Sequence, residues 1–272
     1  MAVMLAEIPL RGLTLVVTRP PAQGMRTAIA LRDAGANVIE FPVLDITPME
    51  ATLSPRELAS ASGIIFVSAN AVAHGVPWVQ RAGGASATTE LFAIGRATAT
   101  ALVDAGFEHV ASPQQSIDSE GLLAMPQLRR VEGRHIILVK GRSDLGGRTV
   151  LEQTLTARGA RVTALECYRR APFIPVLAVR EAFRTSLASG CVHACFALSV
   201  ETMNSLINIF TMMDISPQSQ MVLLVPNPRV ADAARTHGFD KIFEVPLAES
   251  ALVPALTRLK PQLLTPFSPL AL

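Results

Sequence analysis

Residues Leu15–Val43 read LVVTRPPAQGMRTAIALRDAGANVIEFPV. A short apolar run opens the stretch, a helical pattern follows, and Gly35 closes it before a second strand-like run, Asn37–Val43. Gly just past a helix takes the left-handed C′ conformation without a Cβ clash, so the stretch is a strand–helix–strand unit. The pattern returns at Ile137–Tyr168, ILVKGRSDLGGRTVLEQTLTARGARVTALECY, where Val150, Leu151, Thr154 and Leu155 form one core-facing stripe ahead of Gly159. Two further echoes pair IIFVSANAV (Ile64–Val72) with ACFALSVET (Ala194–Thr202), and AIGRATATALVDAGFEHVASP (Ala93–Pro113) with LVPNPRVADAARTHGFDKIFEVP (Leu224–Pro246). Ser68 to Ser199 and Gly95 to Pro226 share one offset of 131 residues. The echoes indicate two similar halves, although short βα units resemble one another by physics alone.

Working outward, apolar runs of four to seven residues recur at Leu13–Thr18, Gly63–Ser68, Leu91–Ile94, His135–Lys140, Val192–Leu198, Met221–Val225 and Lys241–Val245. Most are followed by a helical pattern, and Gly106 and Gly238 close two more helices. Alternating β and α predicts an α/β fold with parallel sheets covered on both faces, of flavodoxin or Rossmann type. The expected organisation is two similar lobes. Residues 1–37 with 172–260 form one and the inserted middle, 44–160, the other. Residues 38–43 and 161–171 form a two-stranded antiparallel linker, and 261–272 a short Pro-punctuated tail. The active-site cleft is expected between the lobes.

The 272 residues are 50% hydrophobic and 17% charged, which excludes disorder. A net charge of +2 and 5% aromatics argue against a nucleic-acid partner and against a membrane surface. Three cysteines make no disulfide framework. The opening MAVMLAEIPLRG has no basic region ahead of an apolar run, so it is not read as a secretory signal, and the uncharged run Leu58–Gln80 is broken by polar residues, Gly and Pro. A soluble, cytoplasmic protein is expected.

No G-x-G-x-x-G follows a strand, and in the loop GRSDLGGRT (Gly141–Thr149) Gly147 stands where a phosphate-binding loop needs Lys. Backbone N–H groups of Gly146 and Gly147 suit an anion, and a plain βα turn suits the same residues. Cys191, His193 and Cys195 alternate on one strand face, a spacing that fits a buried strand better than zinc. His74, His109, His135 and His237 are scattered and read as structural or exposed. The strand ends carry more. In open α/β sheets ligands sit beyond the carboxyl ends of strands. Those ends hold Arg19, Ser68, Asn70, Gly95, Arg96, Thr98, Lys140, Gly141, Arg142, Ser199, Asn227 and Arg229. Hydroxyls, amides and cations in these places suit an anionic ligand, and Ser68, Ser199 and Asn227 are also ordinary helix N-caps. Tyr168 is the only tyrosine. A phenol there is a neutral donor able to assist a leaving group, or an amphipathic residue at a lobe boundary.

VTRP (Val17–Pro20), the G-A-x-V…F-P stretch (Gly35–Pro42), FVSANAV (Phe66–Val72), AIGRATATAL (Ala93–Leu102), SEGLL (Ser119–Leu123), ILVKG (Ile137–Gly141) and ECYRR (Glu166–Arg170) occur in an order and spacing that resemble the uroporphyrinogen-III synthase family, from Leu13 to about Leu259. The resemblance implies two α/β lobes on paired linker strands. It also implies a cyclising hydro-lyase without cofactor or metal. Such an enzyme closes hydroxymethylbilane, a linear tetrapyrrole polyanion, to uroporphyrinogen III. Ring D inverts through a spiro intermediate, a step of haem, sirohaem and cobalamin biosynthesis. On this resemblance Tyr168 assists departure of the hydroxyl, Ser68 and Asn70 match F-T-S-x-N-A, Thr98 matches I-G-x-x-T-A, and Ser199 matches the serine of the other lobe. VPNPRV (Val225–Val230) departs from a second I-G-x-x-T-A, with Asn227 and Arg229 as substitute donors. A monomer is expected, in transient contact with the enzyme that makes the substrate. A non-catalytic bilobal binder of an anionic small molecule is the alternative.

Overall fold

The computed structural model describes residues 8–114, 118–143, 149–216, 218 and 220–265. The chain divides into two compact units, residues 1–45 with 172–272, and residues 46–171. In chain order it begins with β1 (Thr14–Val17), α1 (Pro21–Asp33), β2 (Asn37–Glu40) and β3 (Leu44–Pro48). The middle continues with α2 (Pro55–Ser60), β4 (Gly63–Phe66), α3 (Ala69–Arg81), β5 (Glu90–Ala93), α4 (Arg96–Asp104), β6 (Val110–Ala111), α5 (Ser119–Leu123), α6 (Pro126–Arg129), β7 (His135–Ser143), α7 (Val150–Ala157) and β8 (Arg161–Pro172). The rest is α8 (Leu177–Ala188), β9 (Ala194–Phe196), α9 (Val200–Met212), β10 (Val222–Val225), α10 (Pro228–Thr236), β11 (Ile242–Glu244) and α11 (Glu249–Leu263).

The first unit is a parallel sheet in the order β11-β10-β9-β1-β2. Numbered within the unit this is 2-1-3-4-5 read from the β2 edge, the flavodoxin order. Each central strand is buried on both faces, which explains runs such as TLVV and VLLV. Leu15 and Val17 pack with Leu31 of α1 and with Leu252, Leu256 and Leu263 of α11. Val16, between them, packs on the opposite face with residues of α8, α9 and α10. Parity along β1 thus sends alternate side chains to two separate cores.

The second unit has the order β3-β8-β7-β4-β5-β6, with β4 to β8 parallel. Ile64, Phe66, Ile137 and Val139 pack on the α3 face. Ile65, Ile136 and Leu138 pack on the other face against α5, α6 and α7. The echoes in the sequence reappear here as position. Going across the sheets, β6-β5-β4-β7-β8 stands where β11-β10-β9-β1-β2 stands in the first unit, but the chain enters the series at β4 rather than at the counterpart of β7. The helix caps refine the pairing. Gly95 caps α4 and Asn227 caps α10, so Asn227, not Pro226, is the counterpart of Gly95, and Val230 takes the place of Thr98.

Gly35, Gly106, Gly159 and Gly238 have φ of +91, +87, +85 and +83°, the left-handed stops that the sequence indicated. Two boundaries differ from expectation. Residues 38–40, part of the expected linker, lie in the outer parallel strand of the first sheet, because β1 offers its edge to them. Residues 161–171 lie in β8, which β7 captures in parallel along its length. The antiparallel pair of connecting strands instead joins β3 to β8. The Met49 N–H donates to Cys167 O at 3.0 Å and the Phe173 N–H to Val43 O at 2.9 Å, so one strand rises as the other falls. The expected tail also starts later, since α11 runs through Pro254 and Pro261 to Leu263, anchored by its buried leucines. Among the described residues no helix is long and apolar enough to cross a membrane.

Candidate functional site

In the second unit the chain leaves β4 for β5 and β6, then returns on the other side of β4 as β7. Ligands of open α/β sheets bind at such a switch point, beyond the carboxyl ends of the two strands. Ser68 follows β4 here, and Lys140, Gly141 and Arg142 end β7. Ser68 is the N-cap of α3, its Oγ accepting the Ala71 N–H at 3.0 Å. Its other partner is the Tyr168 hydroxyl, 3.0 Å away.

Tyr168 reaches Ser68 because β8 is irregular. Lys140 is opposite Glu166, but Gly141 is opposite Tyr168, so Cys167 is an extra residue in the ladder. Simple alternation places Glu166 and Tyr168 on one face and Leu165 and Cys167 on the other. The bulge moves Tyr168 into the cluster of Leu165 and Cys167, against Val72 and Val76 of α3. Bulges re-aim side chains in this way. The ring is 2% exposed. It lies 5.5 Å, centroid to centroid, from the His74 imidazole. Gly141 makes room for it: a methyl built there would stand 2.3 Å from Tyr168 Cε2.

The cations at the end of β7 belong to the other face. Lys140 Nζ is 2.8 Å from Glu152 of α7 and 3.9 Å from Glu166. Arg142 pairs with Glu166 through Nε and Nη2, both at 2.9 Å. The sheet edge thus presents a neutral phenol–serine pair on the α3 side and a mixed-charge cluster on the α7 side. Burial pushes His74 below the usual imidazole range, so it faces the phenol as a neutral ring. Burial likewise raises the Cys167 thiol to about 11.

The remaining expected residues of this unit lie along the same edge. Asn70 is half-buried in the first turn of α3, Gly95 is a buried N-cap, Arg96 is exposed and Thr98 is 4% exposed. In the first unit the switch lies between β1 and β9. Thr18 Oγ1 donates to Phe196 O at 2.6 Å across it, and Arg19 Nη1 donates to Thr27 Oγ1 at 2.9 Å. Ser199 caps α9 through the Thr202 N–H at 3.0 Å, Asn227 caps α10, and Arg229 is exposed. Gly146 and Gly147 of the expected anion loop lie outside the described residues.

Lys140 and Arg142, expected to hold an anionic ligand, are engaged by carboxylates. Their partners Glu152 and Glu166 lie outside the expected set, although Glu166 is the ladder partner of Lys140 and Glu152 lies in the first turn of α7. His135, read as structural or exposed, is buried and structural: it accepts from Arg161 at 2.7 Å through Nδ1 and meets Thr163 Oγ1 at 2.9 Å through Nε2. Only Cys195 of the alternating trio lies in β9. Cys191 is exposed before the strand, and His193 Nδ1 accepts the Thr14 N–H at 3.0 Å.

Comparison with known proteins gives one consistent result. The family model described as uroporphyrinogen-III synthase HemD matches residues 25–252. The uroporphyrinogen-III synthase of Escherichia coli (strain K12) is 32% identical over 163 residues, covering 58% of this chain and 65% of that one. That of Salmonella typhimurium is 33% identical over 168 residues, with the same two coverages of 58% and 65%. The matched region therefore spans a little under two thirds of these relatives. A crystal structure of a mutant uroporphyrinogen III synthase from Thermus thermophilus superposes with a TM-score of 0.61 at 17% identity, over 92% of this chain and 99% of that one. Uroporphyrinogen-III synthetase from Helicobacter pylori 26695 gives 0.57 at 14% identity, over 92% and 100%. These two likenesses establish the fold.

Proposed function

We propose a reaction for this chain from one premise: it belongs to the uroporphyrinogen-III synthase family. The reaction is closure of hydroxymethylbilane to uroporphyrinogen III with inversion of ring D. The observation that carries the proposal to particular atoms is the buried Tyr168–Ser68 pair at the β4/β7 switch point.

The substrate supplies most of the driving force. A pyrrole nitrogen lone pair expels the hydroxyl of the hydroxymethyl carbon, so the protein needs one neutral proton donor at that oxygen. Tyr168 is such a donor at neutral pH, where a phenol of pKa about 10 keeps its proton. The methylene cation so formed on ring A is attacked by the substituted carbon of ring D, the spiro compound opens, and the macrocycle closes inverted. No cofactor enters this sequence. The harder task is to hold a flexible chain against the simpler closure to isomer I. Positioning of this kind supplies effective molarities of roughly 10⁵–10⁸ M in favourable cases.

The substrate's acetates and propionates suit the sheet edges. Helix N-termini after β4 and β5 offer N–H groups, and Arg96 is exposed beside them. Lys140 and Arg142 take a substrate carboxylate by giving up Glu152 and Glu166. In the first unit Arg19, Ser199, Asn227 and Arg229 occupy the corresponding edge. We further place the protein in the cytoplasm as a monomer that takes its substrate by transient contact from the enzyme that makes it. Spontaneous closure to isomer I makes direct transfer advantageous.

The test is product analysis. Purified protein is incubated with hydroxymethylbilane, the products are oxidised to porphyrins and the isomers are separated. Isomer III is the expected product. Isomer I alone, at the spontaneous rate, refutes the synthase reading in favour of a binder.

A further inference from the structure

The geometry points to Ser68 as a positioning residue for Tyr168: the Ser68 O–H donates to Tyr168 Oη, so that the phenol hydrogen is the one passed to the departing hydroxyl. The inference rests on the synthase reading above. Three observations carry it.

First, one lone pair of Ser68 Oγ is already engaged by the Ala71 N–H at 3.0 Å. That N–H belongs to the first turn of α3, a helix of 13 residues, whose partial positive charge withdraws electron density from the oxygen. A hydroxyl so placed is a better donor and a poorer acceptor. The chain Ala71 N–H, Ser68 O–H, Tyr168 O–H then runs in one direction, and each link polarises the next.

Second, the bulge at Cys167 and the bare Cα of Gly141 fix the ring where its oxygen meets Ser68. Regular pairing would carry Tyr168 to the face of Glu166. Third, the counterpart in the first unit behaves differently. Ser199 caps α9 with the same extended backbone, yet its Oγ meets Thr202 Oγ1 at 2.9 Å, within its own helix turn. Capping alone therefore does not require a phenol at this position.

The proton balance closes on the protein. The C–O bond breaks with its electrons on oxygen, the Tyr168 proton joins that oxygen, and water leaves. The phenolate remains, held by the Ser68 O–H. The proton released when the closing pyrrole carbon regains aromaticity returns to Tyr168.

Because Tyr168 is the only tyrosine, its ionisation band reports this site alone, without substrate. The titratable groups packed against the ring include His74, neutral through burial, and Cys167, whose thiol is raised to about 11 and absorbs elsewhere. The variants are Ser68→Ala and Ser68→Thr, each alone and with Tyr168→Phe, checked by circular dichroism across the titration. If Ser68 donates, Ser68→Ala raises the phenol titration point and Ser68→Thr leaves it near that of the parent. Ser68→Ala then lowers kcat about 10- to 100-fold, the worth of a hydrogen bond to a developing charge, with KM little changed. In the Tyr168→Phe background it lowers kcat no further. A phenol that titrates lower or unmoved in Ser68→Ala overturns the inference, as do losses that multiply in the double variant. The titration reads whether the Ser68 O–H holds the ionised phenol even if the product test rejects the synthase reading, so the two failures are distinguishable.

Discussion

Replacing Gly141 by Ala isolates the packing that holds Tyr168. The backbone of Gly141 is not in the left-handed region, so alanine adds no conformational strain and the effect is steric. The new methyl carbon falls 2.3 Å from Cε2, 2.5 Å from Cζ and 2.8 Å from Cδ2 of Tyr168. Ordinary carbon contacts lie at about 3.5–4.0 Å, so the ring must retreat by more than about 1 Å. It has little room, being 2% exposed against Val72, Val76 and Cys167. Overpacking of this kind costs about 1–3 kcal/mol, offset by about 0.4–1 kcal/mol because alanine restricts the unfolded chain. A net loss of about 1–2 kcal/mol in urea unfolding is expected. The larger effect is on chemistry. A displacement near 1 Å takes the hydroxyl out of reach of Ser68, and misplacement on that scale lowers turnover by about 10²-fold. Tyr168→Leu removes the opposing ring, so in that background Gly141→Ala loses most of its cost in stability, whereas in Tyr168→Phe the cost persists. Turnover within about twofold of the parent, together with unchanged urea unfolding, refutes the reasoning.

Tyr168→Phe keeps the ring and removes the hydroxyl. Turnover of hydroxymethylbilane is expected to fall by about 10²-fold or more while unfolding free energy changes by about 1 kcal/mol, and an unchanged rate removes Tyr168 from the mechanism. Ser205 Oγ, buried in the core of the first unit, has no hydrogen-bond partner among the described residues. Ser205→Ala should raise stability by about 1 kcal/mol in urea unfolding, and a loss of that size shows that the hydroxyl is satisfied. His135 is held below the usual imidazole range, first by burial and then by the Arg161 guanidinium that donates to its Nδ1. The fold binds the neutral ring, so this contribution is complete above the unfolded value of about 6.5 and is lost as pH falls toward the lower folded value. Denaturant midpoints should drop between about pH 7 and 5, less steeply in His135→Gln, while His74 and His193, shifted in the same direction, leave a residual slope. Equal slopes in parent and variant assign the loss elsewhere.

Most of the scaffold was legible because its signals are local. The apolar runs became strands, the four glycines took positive φ, and Ser68, Ser199 and Asn227 cap helices. The partnership of Tyr168 with Ser68 was not legible. It depends on one extra residue in the pairing of β7 with β8, and register is a property of two strands together. The same holds for Lys140 and Arg142, whose carboxylates come from α7 and β8. Edge strand β2 looked like a connector because a four-residue run carries no sign of which sheet will receive it. Pro261 looked like a stop, yet Leu256 and Leu263 bury one side of α11 and carry the helix past it.

The order in which the first sheet is assembled has a temporal consequence. During synthesis β1 and β2 emerge early, but β9, the neighbour that covers the other edge of β1, begins only at Ala194. At about 5–20 residues per second the ribosome needs on the order of ten to thirty seconds to bridge that interval. Throughout it, a two-stranded nascent ribbon with a bare apolar flank waits while the middle of the chain completes its own hydrophobic interior. Until Ala194 emerges, the apolar edge of β1 around Leu13–Val17 is therefore the part of this sheet most exposed to aggregation.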